Sequence, residues 1–226
     1  MTDLAGREQV EILADKDPGV GLPGRVYLPG YSRTMGPQSH LFAERERLQS
    51  LTWEYFDVKQ LSPTIGAELV GLDLSQELTD EVVSEIQQAL WDYKVIFFRN
   101  QEITSEEQLR FAQRFVELEI HPFLPPNTET PELVRFEKNA NAAGYENQWH
   151  HDVTWREMPS QGAILRAIEI PPIGGDTLFV DANAAYEGLT QERKDEIDSL
   201  NAVHDFLRAF GRQVPKEKLA EMREMY

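Results

Sequence analysis

The pattern of apolar and polar residues predicts regular structure from about residue 53 onward. Two short runs of β-forming residues, 56–61 and 66–72, predict strands on either side of a turn. Thr79 has the side chain of a helix N-cap, and apolar residues recur at helical spacing behind it. The apolar run 94–99 predicts a buried strand, and Thr104 begins a capping-box pattern at the start of another helix. Strands and helices are therefore predicted to alternate in the first part of the domain.

Beyond residue 120 the pattern changes to short β-forming runs with turn signals between them. This spacing is typical of the strands of an antiparallel barrel or jelly roll. Helical character returns over 184–189 and 190–200, and again over 215–225. The whole pattern predicts an α+β fold with a barrel and flanking helices. The predicted barrel strands are 132–136, 148–155, 163–168 and 176–180.

Residues 1–50 differ from the rest of the chain because Pro-Gly and Gly-Pro pairs interrupt them and no helical or strand period persists. We interpret them as an irregular N-terminal arm. The arm is either draped over the domain or a partner subunit, or it is a disordered tail. The domain itself is then predicted to comprise residues 51–226.

The amino-acid composition indicates which binding partners and which cellular compartment to expect for this protein. The 226 residues include 22 basic and 39 acidic side chains, for a net charge of −17. Such a field opposes binding to nucleic acid and to anionic membranes, which require clustered Lys and Arg. No apolar run approaches the roughly 18 residues of a membrane span, and the N-terminus lacks a signal-peptide pattern. With no cysteine for disulfides or thiolate sites, we expect a cytoplasmic protein.

The densest chemistry lies in the segment 148–155, which has an extended-chain composition. In a strand, His150 and Asp152 would share one face and His151 would point the other way. One imidazole and one carboxylate are two of the three ligands in a 2-His-1-carboxylate Fe(II) site. By spacing alone, the pair could equally form hydrogen bonds to each other or to the backbone. A zinc site that used His150, His151 and Asp152 together would need a kink in the strand.

A third ligand would have to come from another histidine, and the chain has five in all. His121 and His204 each follow a predicted helix, so each is either a pocket residue or a hydrogen-bonded, half-buried histidine. His40 lies among polar residues in the arm and is predicted to be exposed to solvent.

The segment Trp149-His150-His151-Asp152-Val153-Thr154-Trp155 resembles the W-H-x-D-V-T-[FW] signature of the taurine dioxygenase / 2,4-dichlorophenoxyacetate dioxygenase (TauD/TfdA) family. Several further matches follow in the family's order and cover about residues 55–210. They are Lys94-Val95-Ile96-Phe97-Phe98-Arg99-Asn100-Gln101, Gly162-Ala163-Ile164-Leu165, Pro171-Pro172-Ile173-Gly174-Gly175-Asp176-Thr177-Leu178-Phe179, Ala184-Ala185-Tyr186-Glu187-Gly188-Leu189 and His204-Asp205-Phe206.

The resemblance implies an Fe(II)- and 2-oxoglutarate-dependent dioxygenase on a double-stranded β-helix. By position, His150 and Asp152 are similar to two iron ligands of the family, and Thr177 to a residue that hydrogen-bonds a 2-oxoglutarate carboxylate. His121 is similar to a histidine of the substrate pocket, whereas His204 matches a position that is not a ligand. Enzymes of the family use O2 to hydroxylate a small substrate and release succinate and CO2. The expected substrates are anionic: sulfonates, alkyl sulfates or aryloxyalkanoates.

The chain also departs from the family pattern. The distal iron-binding histidine and the arginine that pairs with 2-oxoglutarate lie farther downstream in the family, so we expect a chain that lacks the C-terminal part of the barrel. Leu124 stands where taurine-type members have tyrosine, which argues against taurine as the substrate. A second hypothesis is a catalytically silent double-stranded β-helix that serves as a binding or assembly module. Members of the family often form dimers or tetramers, so a homo-oligomer is also an open expectation.

Overall fold

The computed structural model describes residues 39–121, 129–138, 149–206 and Leu219. Helices and short strands make up the regular structure of this part of the chain. The helices are α1 (Ser39–Gln49), α2 (Asp80–Tyr93), α3 (Ser105–Gln113), α4 (Ala182–Glu187) and α5 (Gln191–Asp198), and the strands are β1 (Asp57–Gln60), β2 (Ala67–Val70) and β3 (Ile96–Phe97). None of the helices in these ranges combines the length and apolar character that a membrane crossing requires.

A three-stranded mixed sheet, in the order β1-β2-β3, lies at the centre of the described structure. β1 and β2 are antiparallel with Asp57 opposite Val70, and β2 and β3 are parallel with Ala67 opposite Ile96. The period of two places Ala67 and Leu69 in the core, while Val70 faces outward. The predicted strands 56–61, 66–72 and 94–99 are confirmed in shorter form, and the third is half-buried where the sequence predicts a buried strand.

Helix α2 begins where the sequence predicts. The Thr79 side chain accepts a hydrogen bond from the backbone of Val82, as an N-cap should. Ile86 is fully buried against the sheet, and Tyr93, the last residue of the helix before its C-cap Lys94, is also buried. Helix α3 begins at a complete capping box, because the side chains of Thr104 and Glu107 bond each other's backbone N–H groups.

Helix α1 corrects the prediction of an irregular arm for the part of the arm that the structure describes. Ser39–Gln49 is helical, and Leu48 belongs to the same core as the sheet and α2. Apolar burial by one side chain and ion pairs by its neighbours hold this helix, so it lacks the broad apolar stripe that sequence patterns detect. His40, predicted to be exposed, is half-buried, and its Nε2 lies 3.1 Å from the carbonyl oxygen of Ala184. Residues 1–38 lie outside the described residues, and the domain boundary at residue 51 stays a prediction.

The predicted barrel strands are wrong for this structure. Residues 132–136, 149–155, 163–168 and 176–180 are described, and none of them is a strand. A strand needs a partner for its backbone hydrogen bonds, and these runs have β composition without a neighbouring ladder. Residues 171–180 are exposed throughout. The run 163–168 has a side-chain contact instead, because Gln108 donates to the carbonyl oxygen of Ile164 at 3.3 Å.

The predicted helices at 184–189 and 190–200 are confirmed as α4 and α5, with small shifts at their ends. Asp181 caps α4 and Thr190 caps α5, each by accepting a hydrogen bond from a backbone N–H in the first turn. The predicted helix at 215–225 lies outside the described residues, apart from Leu219.

Candidate functional site

The segment that carries His150 and Asp152 is not the strand that the sequence predicts, because His150 and His151 precede a turn that begins at Asp152. Residues 152–155 form the turn, and the Arg156 backbone N–H donates to the Val153 carbonyl oxygen at 3.1 Å. Val153 has a φ of 47° and is only 3% exposed. A β-branched residue is rarely found in the left-handed region. The buried Val153 side chain therefore anchors a conformation that alternation along a strand does not describe.

This turn brings His150 and Asp152 together on the outside of the molecule. His150 Nε2 lies 3.3 Å from Asp152 Oδ1, and both side chains are 64% exposed. The sequence predicts that the two side chains lie on one face of a strand. They are indeed adjacent, but the turn brings them together and not the alternation of a strand. His151 is directed differently, because its Nδ1 lies 2.9 Å from the backbone oxygen of Asp152.

Two residues from distant parts of the chain, His204 and Glu119, contact the turn and the residues that follow it. His204 Nδ1 lies 2.8 Å from the hydroxyl of Thr154. The Arg156 Nη1 atom lies 2.5 Å from Oε1 of Glu119, and the Ser160 hydroxyl donates to Oε2 of the same carboxylate at 3.2 Å. Glu119 and Arg156 were not singled out from the sequence. Opposite charges so far apart in the chain carry no local signal, because only the fold brings them together.

His121 lies within the electrostatic reach of this cluster. Burial lowers the pKa of the His121 imidazole, and the nearby carboxylates of Glu119 and Asp152 oppose that shift. The guanidinium of Arg156 reinforces the lowering of the pKa. His121 is therefore neutral at neutral pH and can serve as one hydrogen-bond donor and one acceptor. The carboxylate of Asp152 therefore acts electrostatically on His121, and a place for His121 in a substrate pocket stays a prediction.

Thr177 is placed differently from the other candidates. It lies in the exposed segment 171–180, and no strand pairing joins that segment to the His150 turn. The next part of the run contacts the sheet, where the ring of Phe179 meets Phe97 edge-on at 6.2 Å between centroids. Leu124, the residue that argued against taurine, lies outside the described residues.

The pair of His150 and Asp152 fits two neighbouring positions on one metal ion. Two ligand atoms that each lie about 2.1 Å from a first-row cation at right angles are about 3.0 Å apart, close to the 3.3 Å observed here. An imidazole and a carboxylate are also a donor set that suits Fe(II). In the described part of the chain, no group of three His, Cys, Asp or Glu side chains is placed to hold a metal. That finding extends to the zinc alternative, because His150, His151 and Asp152 do not form such a group.

Comparisons with known proteins agree on one family. A profile described as "Taurine catabolism dioxygenase TauD, TfdA family" matches residues 57–225. The chain is 33% identical to an alkylsulfatase of Acinetobacter baylyi over 76% of this chain and 55% of that protein. It is 38% identical to an alpha-ketoglutarate-dependent sulfate ester dioxygenase of Pseudomonas putida over 66% of this chain and 49% of the relative.

A solved structure is similar as well. The crystal structure of a taurine dioxygenase from Burkholderia xenovorans superposes with a TM-score of 0.58 and 36% identity, over 68% of this chain and 54% of that one. The chain therefore spans about half the length of the relatives that it matches.

Proposed function

Because the chain belongs to the TauD/TfdA family of dioxygenases, we propose that the protein is an Fe(II)- and 2-oxoglutarate-dependent dioxygenase. It hydroxylates a small anionic organic substrate and releases succinate and CO2. The observation that carries this proposal is the 3.3 Å approach of His150 Nε2 to Asp152 Oδ1 in the W-H-x-D turn. That turn lies inside the stretch of sequence that matches the family.

The site residues take the roles that their chemistry suits. His150 and Asp152 bind the iron through one imidazole nitrogen and one carboxylate oxygen. When bound, the iron supplies the coordination positions at which 2-oxoglutarate and O2 react to hydroxylate the substrate. Thr177 donates its hydroxyl to a 2-oxoglutarate carboxylate. His121, held neutral by burial, donates a hydrogen bond to the substrate and adds no charge to the pocket.

The remaining parts of the site belong outside the described residues. A facial iron site needs a third protein ligand, and a doubly charged co-substrate needs a cation to pair with. We further propose that the exposed runs 163–168 and 176–180 become strands of a double-stranded β-helix when the rest of the protein packs against them. Their β-forming composition and their exposure in this structure support that proposal. The cytoplasmic location and the homo-oligomer stay predictions.

Sulfate esters are the substrate class to examine first. Two of the relatives are described as an alkylsulfatase and a sulfate ester dioxygenase, at 33% and 38% identity. Hydroxylation of the carbon that bears the ester oxygen would give a product that collapses to an aldehyde and free sulfate. Sulfonates and aryloxyalkanoates complete the panel, because each can be hydroxylated at a carbon next to a heteroatom.

The test compares His150→Ala with the matched control His151→Ala in the full-length protein. We expect His150→Ala to lose anaerobic Fe(II) binding and 2-oxoglutarate turnover, because a facial site with one ligand removed holds its metal poorly. The control should bind iron within about twofold of wild type, since His151 is directed to the backbone of Asp152. Retained iron in His150→Ala would refute the ligand assignment. A wild-type protein that neither binds iron nor consumes 2-oxoglutarate would favour the silent binding module.

A further inference from the structure

Glu119 joins two points of the chain downstream of the His150 turn. Its Oε1 atom pairs with Arg156 at 2.5 Å, and its Oε2 atom accepts the Ser160 hydroxyl at 3.2 Å. Both oxygens of the carboxylate are therefore engaged by the segment 156–160. The side chains of Glu119 and Arg156 are 34% and 23% exposed, so solvent screens this pair less than it screens an ion pair between fully exposed chains.

Glu119 and Arg156 also lie close in sequence to different parts of the candidate site. The backbone of Arg156 closes the turn through its hydrogen bond to Val153, a few residues after Asp152. Glu119 lies two residues before His121. The charges that act on the His121 imidazole include those of Glu119, Asp152 and Arg156, so both members of the ion pair influence this site residue. The ion pair of Glu119 with Arg156 thus links the chain two residues before His121 to the residue that closes the turn.

We propose that Glu119 and Arg156 are positioning residues that hold the His150–Asp152 turn against His121, an inference that rests on the proposed function. In this proposal each side chain acts through the part of the backbone that it fixes. A guanidinium presents its donors in a rigid plane, so its pairing with a carboxylate sets orientation as well as distance. Such control is needed because a metal site works only when its ligands stay within about 0.5 Å of the productive geometry.

The experiment uses Glu119→Gln, Arg156→Gln and the double variant of the full-length protein. The first measurement is hydrogen exchange of the metal-free protein. We expect faster exchange in the peptides that cover 119–121 and 149–156, and unchanged exchange in α2. The second is titration with Co(II) as a spectroscopic substitute for Fe(II). Each single variant should bind Co(II) about tenfold more weakly, as outer residues of metal sites typically show.

The double variant shows whether Glu119 and Arg156 act as one unit, called here the clamp, or as two independent contacts. If the pair acts as one unit, the double variant should also lose about tenfold in Co(II) affinity, because the second substitution removes nothing further. An additive loss of about a hundredfold would overturn the proposal. The matched control is Arg193→Gln, which breaks the 2.5 Å ion pair of Arg193 with Glu196 on α5 and should change neither readout.

A variant that removes only one contact of Glu119 keeps the proposal testable if the ion-pair substitutions destabilise the whole protein. Ser160→Ala removes one contact of Glu119 and leaves the ion pair, so it should speed exchange in 149–156 to a smaller extent. Wild-type exchange in that peptide for all variants would overturn the proposal. If wild-type protein fails to bind Co(II), the proposed function fails, and the exchange data on metal-free protein still decide whether the clamp exists.

Discussion

At the scale of single residues, Gln101 shows how one side chain can join separate loops. Its Oε1 accepts the backbone N–H of Leu74 at 2.9 Å. Its Nε2 donates to the carbonyl oxygens of Leu72 at 3.0 Å and Arg99 at 2.9 Å. The loop that follows β2 is thereby bound to the segment that follows β3. Gln101 is half-buried. If its side chain were removed, water would replace the lost hydrogen bonds to these backbone groups only in part.

We expect Gln101→Ala to lower the free energy of unfolding by about 2–3 kcal/mol, since three hydrogen bonds of roughly 1 kcal/mol each are lost. Urea denaturation followed by circular dichroism measures the change. The control is Gln113→Ala, at the exposed end of α3, which should stay within about 0.5 kcal/mol of wild type. Equal losses in the two variants would show that the loop contacts of Gln101 are not the cause.

At the scale of elements, an ionic network joins three helices. Lys94 ends α2 in the left-handed conformation with a φ of 66°. Its Nζ lies 2.5 Å from Glu44 on α1 and 3.6 Å from Asp181, the N-cap of α4. Glu44 also pairs with Arg47 at 2.8 Å, and Arg47 pairs with the buried Asp92 of α2 at 2.6 Å. This network explains why α1 forms and packs although its sequence has little apolar periodicity.

The network predicts a pH dependence of stability. The hydrogen bond from Arg47, reinforced by Lys94, lowers the pKa of Glu44 from 4.5 to about 2. A depressed carboxyl pKa contributes stability that is fully present above pH 4.5 and is lost as the pH falls toward 2. Wild type should therefore exceed Glu44→Gln in free energy of unfolding at pH 5 and above. The difference should shrink as the pH falls from 4.5 toward 2. Chemical denaturation at a series of pH values measures it, and a difference that stays constant across the window would contradict the assignment.

At the scale of the whole molecule, the described residues divide into a packed part and an open part. The main core consists of residues from α1 through α3 and the sheet. By contrast, Leu165 is 72% exposed and Ile173 is 90% exposed, and other large apolar side chains of residues 164–180 are exposed as well. An apolar surface of this kind marks an interface. The relatives are about twice as long as the stretch that matches them.

Hydrogen exchange of the 226-residue chain tests this division. We expect residues 163–180 to exchange at rates near those of an unfolded chain, whereas Ala67–Val70 and α2 should be strongly protected. A protein extended to the length of its relatives should protect 163–180, because the strands would then have ladder partners. Protection of this segment in the shorter chain that equals that of β2 would contradict the prediction.

The sequence by itself determined the features that depend on local chemistry. Thr79 and Thr104 were predicted as helix caps because a cap needs only its own side chain and the next turn of backbone. The sheet strands were predicted because alternation records which face is buried. The family was predicted from the ordered motifs around Trp149–Trp155, since such motifs do not require knowledge of the fold.

The tertiary structure decided what depends on distant partners. The runs 163–168 and 176–180 have the composition of strands, but a strand exists only where another strand satisfies its backbone, and composition cannot supply that partner. The sequence predicts that His150 and Asp152 lie close together, but a turn anchored by the buried Val153 creates that proximity. The pairing of Glu119 with Arg156 was not foreseen. An ion pair between residues far apart in the chain has no local pattern, because its energy arises only when folding brings the two charges together.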